Sequence, residues 1–403
     1  MTLSGRPVVR PGTGVIGESD LLEVWRSGRK KLYVNKRSLV THQAHDAAAR
    51  LGIEIIEGPP EQPTLAATDG IAAMRRLLYR SNPRWVASDR PRGLHPTTFG
   101  RLVIVGAGGV GSATAHLAAN ASIADELILI DIVPGVAEAT ALDLEHSVGI
   151  TGSRSRFTGG TSLALMEGAD VVVITAGRPR TPGMSRSDLA EVNARVVRQT
   201  CERLAEIAPE AVVVVVTNPL DEMTTEALRA TGFPRERVIG MAGTLDSARF
   251  RAALARAAAV DPGDVEAITL GSHGDEMVPI ISTATIKGRD LEDVLTHEAI
   301  QAAVKDAVTG GGQVVAIRKT GSATLAPAHA TLEVLDALRG ARAGAIPVSV
   351  MLRGEYGIED VVVGVPCLLG PAGVVEIVAL RLADAELAAL QTAAAAVASR
   401  IGG

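Results

Sequence analysis

The sequence predicts an α/β protein built on a doubly wound parallel sheet, with a second, α+β domain and a small β/α extension at the N-terminus. Two observations predict the sheet. From residue 101 onward, short apolar runs rich in β-branched residues alternate with glycine turns and helical stretches, which is typical of parallel strands buried on both faces. The first of these runs also leads directly into the glycine-rich turn GAGGVG at 106–111.

The composition excludes several classes of protein. The chain has 403 residues, of which 47 % are apolar and 21 % charged, so we expect folded domains with proper cores. The sequence contains no apolar run of membrane-spanning length, no apolar segment at the N-terminus and only two cysteines. Neither a membrane span, a secretion signal nor a disulfide framework is therefore expected. We predict a cytoplasmic protein with no membrane partner.

Charge divides the chain into two pieces. Residues 1–98 carry 15 basic and 9 acidic side chains, a net +6, whereas the remaining residues carry 25 and 36, a net −11. This asymmetry indicates two differently composed parts. We predict a small β/α extension at 1–60, a linker with an amphipathic helix at 61–98, a sheet domain at 99–245 and an α+β domain at 246–403.

Local signals predict the elements of the extension. Ser19 is placed to cap a first helix, which the strand at 30–34 follows. Thr41 is placed to cap a second helix, and Gly52 ends it before the strand at 53–56.

The linker contains one predicted helix. Its apolar residues Ile71, Met74, Leu77 and Leu78 share one face, with arginines on the opposite face.

The sheet domain contains four predicted strands. They are the apolar runs at 102–106, 127–131, 171–175 and 211–217. After Asp246 the pattern becomes mixed, which indicates the α+β domain. There we predict strands at 361–369 and 374–380 and an alanine-rich helix from Asp384.

The glycine turn predicts a dinucleotide site of the Rossmann type. Gly106 suits the tight turn after the strand, Gly108 lets a pyrophosphate approach the backbone, and Gly111 allows close packing of the helix on the strand. Asp131 ends the next strand, where a carboxylate accepts bonds from the ribose hydroxyls and repels a 2′-phosphate. NAD is therefore favoured over NADP. The alternative is a glycine turn with an unrelated surface aspartate.

Five further polar segments follow strands or helices, where open α/β sheets place their chemistry. These segments are GRPRTPGMSRSDL at 177–189, VTNPLD at 216–221, TLDSARF at 244–250, GSHGDEMVP at 271–279 and KTGSA at 319–323. Their order and spacing resemble the lactate/malate dehydrogenase family, and within it the lactate-dehydrogenase-like malate dehydrogenases. The resemblance covers residues 101–403 and implies NAD-dependent oxidation of a 2-hydroxy acid.

The resemblance assigns the proton transfer to His273. An imidazole can exchange a proton near neutral pH, as the interconversion of a ketone and an alcohol requires. By similarity, Asp246 holds the tautomer of His273 and stabilises the imidazolium. A histidine taken alone is more often structural.

The resemblance also implies three arginines for the substrate. Arg249 resembles the guanidinium that binds the 1-carboxylate, and Arg186, in a mobile loop, resembles the group that polarises the carbonyl. Arg180 occupies the position that selects substrates, and its charge calls for a second carboxylate. Malate and oxaloacetate are thus favoured, with lactate or another 2-hydroxy acid as the alternative. Isolated loop arginines are otherwise merely solvated.

Four more residues resemble cofactor contacts. Asn218 resembles the amide that binds both substrate and cofactor, Val216 and Thr217 lie beside it, and Asn193 resembles a further nicotinamide contact. The chemistry belongs to the cofactor, so no metal is expected.

The partners follow from the same two parts of the chain. The resemblance implies a homo-dimer or homo-tetramer. Residues 18–56 resemble the opening segments of ethanolamine-utilisation proteins of bacterial microcompartments, so residues 1–98 are a candidate module for binding a protein partner or for targeting to a microcompartment. The alternative is that the amphipathic helix packs on its own enzyme or on a sister subunit. The basic residues near Tyr33 match no nucleic-acid motif, and no nucleic-acid partner is expected.

Overall fold

The computed structural model describes residues 8–9, 15–26, 30–34, 38–57, 96–178, 186–319 and 321–402. The chain divides into two units, Met1–Met74 and Arg75–Gly403. The predicted helix at 71–79 and the rest of 58–95 lie outside the described residues, so the linker stays a prediction.

The first unit is a small β/α fold, as its sequence predicts. Its elements are β1 (Val8–Val9), β2 (Val15–Ile16), α1 (Glu18–Arg26), β3 (Lys31–Val34), β4 (Leu39–Val40), α2 (His42–Leu51) and β5 (Glu54–Glu57). Strands β1, β3 and β5 form a parallel sheet in that order, and β2 pairs with β4 in parallel. Leu21 and Val24 of α1 pack with Leu32 and Val34 of β3 in its apolar core.

Two of the three helix-end residues predicted for this unit are correct. Thr41 caps α2, because its Oγ1 accepts a bond from Ala44 N at 3.2 Å, and Gly52 ends α2 with a φ of 65°, which glycine adopts without strain. The prediction for Ser19 is wrong, since α1 already begins at Glu18. Asp20, in the first turn, accepts a bond from the preceding Gly17 N at 2.8 Å.

The second unit contains a larger set of helices and strands. Its first half comprises β6 (Phe99–Val105), α3 (Gly109–Asn120), β7 (Ala124–Ile130), α4 (Val136–Thr151), β8 (Arg156–Gly160), β9 (Val171–Ile174), α5 (Arg186–Ile207), β10 (Val212–Val215), α6 (Leu220–Thr231) and β11 (Val238–Gly240). Its second half comprises α7 (Gly243–Ala258), β12 (Val265–Gly271), β13 (Met277–Ile286), β14 (Arg289–Asp290), α8 (His297–Arg318), α9 (Leu325–Leu338), β15 (Ile346–Arg353), β16 (Glu359–Gly370), β17 (Gly373–Ile377) and α10 (Asp384–Gly402).

The first half is a parallel, doubly wound sheet. Its strands run in the order β8-β7-β6-β9-β10-β11, which is the order of dinucleotide-binding sheets. Each strand side chain of β9 and β10 is buried, because helices cover both faces. The order reverses between β6 and β9, and ligands of such sheets bind in the crevice at that reversal.

The second half extends the same sheet with antiparallel strands. Strand β15 pairs with β11, and β16, β12, β13 and β14 follow outward, with β17 on β16. Together, 12 strands of the described chain form one sheet. The continuity of this sheet joins the two predicted domains, whose boundary at 245 stays a prediction.

The predicted strands are present with shifted ends. The prediction of 102–106 includes Gly106, whose φ of 102° ends the strand at Val105. The strands β16 and β17 and the final helix from Asp384 also agree with the sequence. Among the described helices, none is long and apolar enough to span a membrane.

Candidate active site

The glycine turn closes tightly between β6 and α3. A Cβ at Gly106 would lie 2.6 Å from Ala176 N, and a Cβ at Gly111 would overlap the Gly106 carbonyl oxygen. Real side chains do not reach such separations, so only glycine fits at either position. The neighbouring Gly109 is restricted by a side chain instead, since its Cβ would lie 2.5 Å from the methyl group of Thr324. Sequence reasoning missed Gly109, because its restriction comes from a residue more than 200 positions away.

Gly108 differs from these three glycines. It is the N-cap of α3, and a Cβ built on it would meet no atom within 4 Å. The turn therefore leaves open space directly at a helix N-terminus, where backbone N–H groups and the helix dipole favour an anion. This opening fits the pyrophosphate of a dinucleotide.

Asp131 lies directly after β7, beside the glycine turn. Its Oδ2 accepts a bond from Ala107 N at 2.8 Å, and its Oδ1 accepts one from Val133 N at 3.0 Å. The carboxylate is therefore held in place by the turn itself while remaining partly exposed. It retains lone pairs that can accept bonds from ribose hydroxyls.

His273 and Asp246 meet although 27 residues separate them. His273 lies in the loop after β12, and Asp246 lies in the first turn of α7. Asp246 Oδ2 is 2.8 Å from His273 Nδ1, and the Asp246 side chain is only 2 % exposed. Because a carboxylate can only accept, Nδ1 carries the proton and Nε2 is the atom left for a substrate.

The surroundings of His273 raise its pKa. Burial by itself lowers that pKa, but the charge and hydrogen bond of Asp246, with a smaller effect of Asp221, outweigh burial and the repulsion from Arg249. The imidazolium is thus stabilised beyond its ordinary range.

Arg249 lies one helical turn beyond Asp246. Its Nη1 donates to Asp246 Oδ1 at 3.1 Å, so one carboxylate orients both the imidazole and the guanidinium. Helix α8 packs beside it, since a Cβ at Gly311 would be in ordinary van der Waals contact, at 3.5 Å, with both Nη atoms of Arg249. Sequence reasoning missed Gly311; the triplet GGG at 310–312 inside a helix was the available signal.

These side chains line one cavity of about 180 Å³. His273, Arg249, Asn218 and Ser322 contribute its polar side chains. Its other lining residues are Val110, Val216, Leu220, Met241, Leu245, Gly311, Val315, Ala323 and Pro327. Val110 of the glycine turn and His273 border the same space, so the cavity adjoins the cofactor crevice.

The side chains of Thr217 and Asn193 hold the backbone next to this cavity. Thr217 Oγ1 donates to Ala176 O at 2.7 Å. Asn193 is 2 % exposed; its Nδ2 donates to Asn218 O at 2.6 Å and its Oδ1 accepts from Arg178 N at 2.7 Å. The amide of Asn193 therefore joins the backbone that follows β9 to the backbone that follows β10. Its contact with nicotinamide stays a prediction.

The side chains of two arginines of the predicted site are not among the described residues. Arg180 lies outside the described residues, and Arg186 begins α5 with a side chain that is likewise outside the described part. Their substrate roles stay predictions.

Asp221 is a functional candidate that sequence reasoning missed. It is 1 % exposed, and its Oδ2 accepts a bond from the backbone N of His273 at 2.9 Å while Oδ1 accepts one from Ser349 Oγ at 2.8 Å. Burial raises its pKa, and these hydrogen bonds oppose the rise. Its place at the end of VTNPLD was the available signal. Within the described residues, no three His, Cys, Asp or Glu side chains group as metal ligands.

Two family models match the second unit. The lactate/malate dehydrogenase NAD binding domain matches residues 100–240, and the lactate/malate dehydrogenase alpha/beta C-terminal domain matches residues 243–402. The chain belongs to the lactate/malate dehydrogenase family. It is thus an NAD-dependent oxidoreductase, and the predicted family, fold class and cofactor are confirmed.

Relatives within this family match the same part of the chain. Malate dehydrogenase of Trichormus variabilis is 44 % identical over 313 residues, which are 78 % of this chain and 96 % of the relative. Malate dehydrogenase of Thermomicrobium roseum is 45 % identical over 297 residues, 74 % of this chain and 96 % of the relative.

Solved structures of the family share the fold. Malate dehydrogenase of Cryptosporidium parvum has a TM-score of 0.72 and 38 % identity, covering 75 % of this chain and 98 % of its own. The lactate dehydrogenase of the same organism has an equal TM-score of 0.72 with 33 % identity, covering 75 % and 97 %. The fold alone therefore does not choose between the two substrates.

Proposed function

We propose that the chain is a malate dehydrogenase, which interconverts malate and oxaloacetate with NAD. The observation that carries this proposal is the Asp246 carboxylate, which holds a proton-transferring imidazole and a carboxylate-binding guanidinium at one cavity. The relatives support the choice of malate, since malate dehydrogenases match this chain at 40–45 % identity.

The crevice at the sheet reversal holds NAD. Gly108 leaves room for the pyrophosphate at the N-terminus of α3. Asp131 accepts bonds from the ribose hydroxyls, and its charge disfavours a 2′-phosphate. Val216, Thr217 and Asn218 follow β10 at the nicotinamide end. When bound, NAD accepts or supplies the hydride.

His273 moves the proton. In the direction of oxaloacetate reduction, Nε2 donates its proton to the carbonyl oxygen as that oxygen becomes a hydroxyl. In malate oxidation, the neutral Nε2 accepts the hydroxyl proton. Asp246 keeps the Nδ1–H tautomer in both directions and stabilises the imidazolium.

Arg249 orients the substrate. Its planar guanidinium can bind the 1-carboxylate through two parallel hydrogen bonds. Because Asp246 already accepts one bond from Nη1, the fork has a fixed direction before substrate arrives. The carbonyl carbon is thereby held next to His273, and Asn218 contributes an amide to the same space.

Arg186 and Arg180 complete the selection of substrate in this proposal. Arg186 polarises the reacting carbonyl, and Arg180 pairs with the second carboxylate of oxaloacetate. A buried cation left unpaired by a one-carboxylate substrate can support discrimination of about 10⁴-fold.

A steady-state comparison tests the function. We expect kcat/KM for oxaloacetate with NADH to exceed the values for pyruvate and for NADPH, and Arg180→Gln to shift the preference toward pyruvate. If the unaltered protein reduces pyruvate better than oxaloacetate, the chain is instead a dehydrogenase of lactate or a related 2-hydroxy acid.

The quaternary structure and the N-terminal unit belong to the same proposal. We expect a homo-dimer or homo-tetramer, and a monomeric mass by light scattering would contradict it.

We assign residues 1–98 to assembly with a protein partner or to targeting to a microcompartment. Two observations support this: the chain divides into two units at residue 74, and the relatives match only about three-quarters of the chain. Deleting residues 1–98 should leave the kinetics of the enzyme unchanged and abolish its co-localisation with the partner or the microcompartment. Lost activity would instead assign these residues a structural role.

A further inference from the structure

The loop that carries His273 is held by more than Asp246. It connects β12 to β13, and its first residue, Ser272, is 1 % exposed. The backbone N of His273 donates to Asp221 at 2.9 Å, and Asp221 is itself 1 % exposed. The loop is therefore bonded to a buried acid of α6.

Arg400 reaches this loop from the far end of the chain. It lies in the last turn of α10, and its Nη2 donates to Ser272 Oγ at 3.1 Å. Its Nη1 donates to Glu276 at 2.9 Å, near the end of the same loop. One guanidinium therefore bonds both the first and the last residue of this loop.

The third bond of Arg400 reaches a different element of the site. Its Nε donates to Glu222 at 2.7 Å, and Glu222 follows Asp221 in the first turn of α6. Helix α6 begins at Leu220, two residues after Asn218, a polar residue of the cavity. One guanidinium, with a side chain 24 % exposed, therefore joins the two segments that present Asn218 and His273.

Helix α10 is itself anchored at its other end. Glu386 accepts bonds from the backbone N atoms of Ile281 and Ser282 in β13, both at 2.9 Å. Since β13 continues from the histidine loop, both ends of α10 are bonded to the segment that carries His273. The position of Arg400 is therefore fixed relative to that segment.

We propose that Arg400 is a positioning residue for proton transfer: by joining the histidine loop to α6, it keeps Nε2 of His273 directed at the substrate. The inference rests on the proposed role of His273. A displacement of about 1 Å at a reacting group can cost about 10²-fold in rate, so loss of this link is expected to lower kcat rather than substrate affinity.

Arg400→Met, Arg400→Lys and Ser272→Ala test the proposal, with Arg256→Met as the matched control. Arg256 forms an exposed ion pair with Asp306 in the same half of the unit. We expect Arg400→Met to lower kcat for oxaloacetate by about 10- to 100-fold with KM changed less than threefold, Arg400→Lys to restore part of kcat, and the control to keep it. Ser272→Ala removes one hydroxyl and still tests the link if Arg400→Met does not fold.

A second readout does not depend on turnover. The pKa of the His273 imidazole, followed by NMR, should fall in Ser272→Ala, which leaves the net charge unchanged, because its bond to Asp246 loosens, and should be unchanged in Arg256→Met. A kcat within twofold of the unaltered enzyme together with an unshifted His273 titration would overturn the proposal. If the unaltered protein reduces no 2-oxo acid, the proposed function fails, while the titration still decides the role of Arg400.

Discussion

The carboxylate of Asp246 lies 2.8 Å from Nδ1 of His273 and is almost completely buried. Its second oxygen accepts a bond from Arg249, so this buried charge has a partner on each oxygen. Removing one member of such a pair leaves an uncompensated charge, which costs far more than the net stabilisation of the pair itself. The positions of His273 and Arg249 therefore both depend on Asp246.

Replacement of Asp246 by Asn should separate geometry from charge. The amide retains the shape and one acceptor but no longer stabilises the imidazolium, so kcat for oxaloacetate reduction at neutral pH should fall by about 10²- to 10⁴-fold. Arg256→Met on the same helix serves as the control. A tenfold loss or less would mean that another group supports His273.

The raised pKa of His273 gives the pH dependence a sign. Reduction of oxaloacetate needs the protonated imidazole, so its kcat/KM should stay constant at low pH and fall as pH rises through the raised pKa. Malate oxidation should show the opposite trend. In Asp246→Asn the midpoint should move to lower pH, because the charge that raises the pKa of His273 is removed while burial still lowers that pKa. An unchanged midpoint would show that a different group titrates.

Replacement of Arg249 by Lys tests the substrate fork. A lysine keeps the charge but loses the two parallel donors, and a charge-assisted hydrogen bond contributes about 1.5–3 kcal/mol. KM for oxaloacetate should therefore rise by about 10- to 100-fold, while KM for NADH stays within twofold. Steady-state kinetics with both substrates varied checks this, and an equal rise in both KM values would contradict it.

The sequence predicted what depends on local patterns. The strand, turn and helix around GAGGVG and the cap at Thr41 follow from short motifs and their spacing, whereas the pairing of Asp246 with His273 came from the resemblance to the family. Gly106 and Asp131 were also recognisable from short motifs and their spacing.

The sequence did not predict what long-range packing decides. The restriction on Gly109 comes from Thr324, and the role of Asp221 becomes visible only when Ser349 and the histidine loop meet it. Ser19 was predicted as a cap because its hydroxyl is suitable, yet the helix begins one residue earlier, at Glu18, and Asp20 in its first turn accepts from Gly17 N. The residue at which a helix starts depends on the packing of the chain that precedes it.

Two glycines of the turn should respond differently to alanine. At Gly111 a methyl group overlaps the Gly106 carbonyl, so Gly111→Ala should lower the free energy of unfolding by about 1–3 kcal/mol. At Gly108 the methyl group meets nothing in the protein but fills the space for the pyrophosphate. Gly108→Ala should keep its melting temperature while KM for NADH rises about tenfold or more. A loss of stability in Gly108→Ala would place that glycine in the packing instead.

Charge removal at Asp131 tests the choice between NAD and NADP. Asp131→Asn keeps an acceptor for the Ala107 N–H but removes the charge that repels a 2′-phosphate. The ratio of kcat/KM for NADPH to that for NADH should rise by about 10- to 100-fold, the range expected when a charge-assisted hydrogen bond of about 1.5–3 kcal/mol is altered. Asp125→Asn, exposed on β7, the strand that Asp131 follows, should leave the ratio unchanged. An equal response in both variants would show that general surface charge, and not the carboxylate beside the glycine turn, sets the preference.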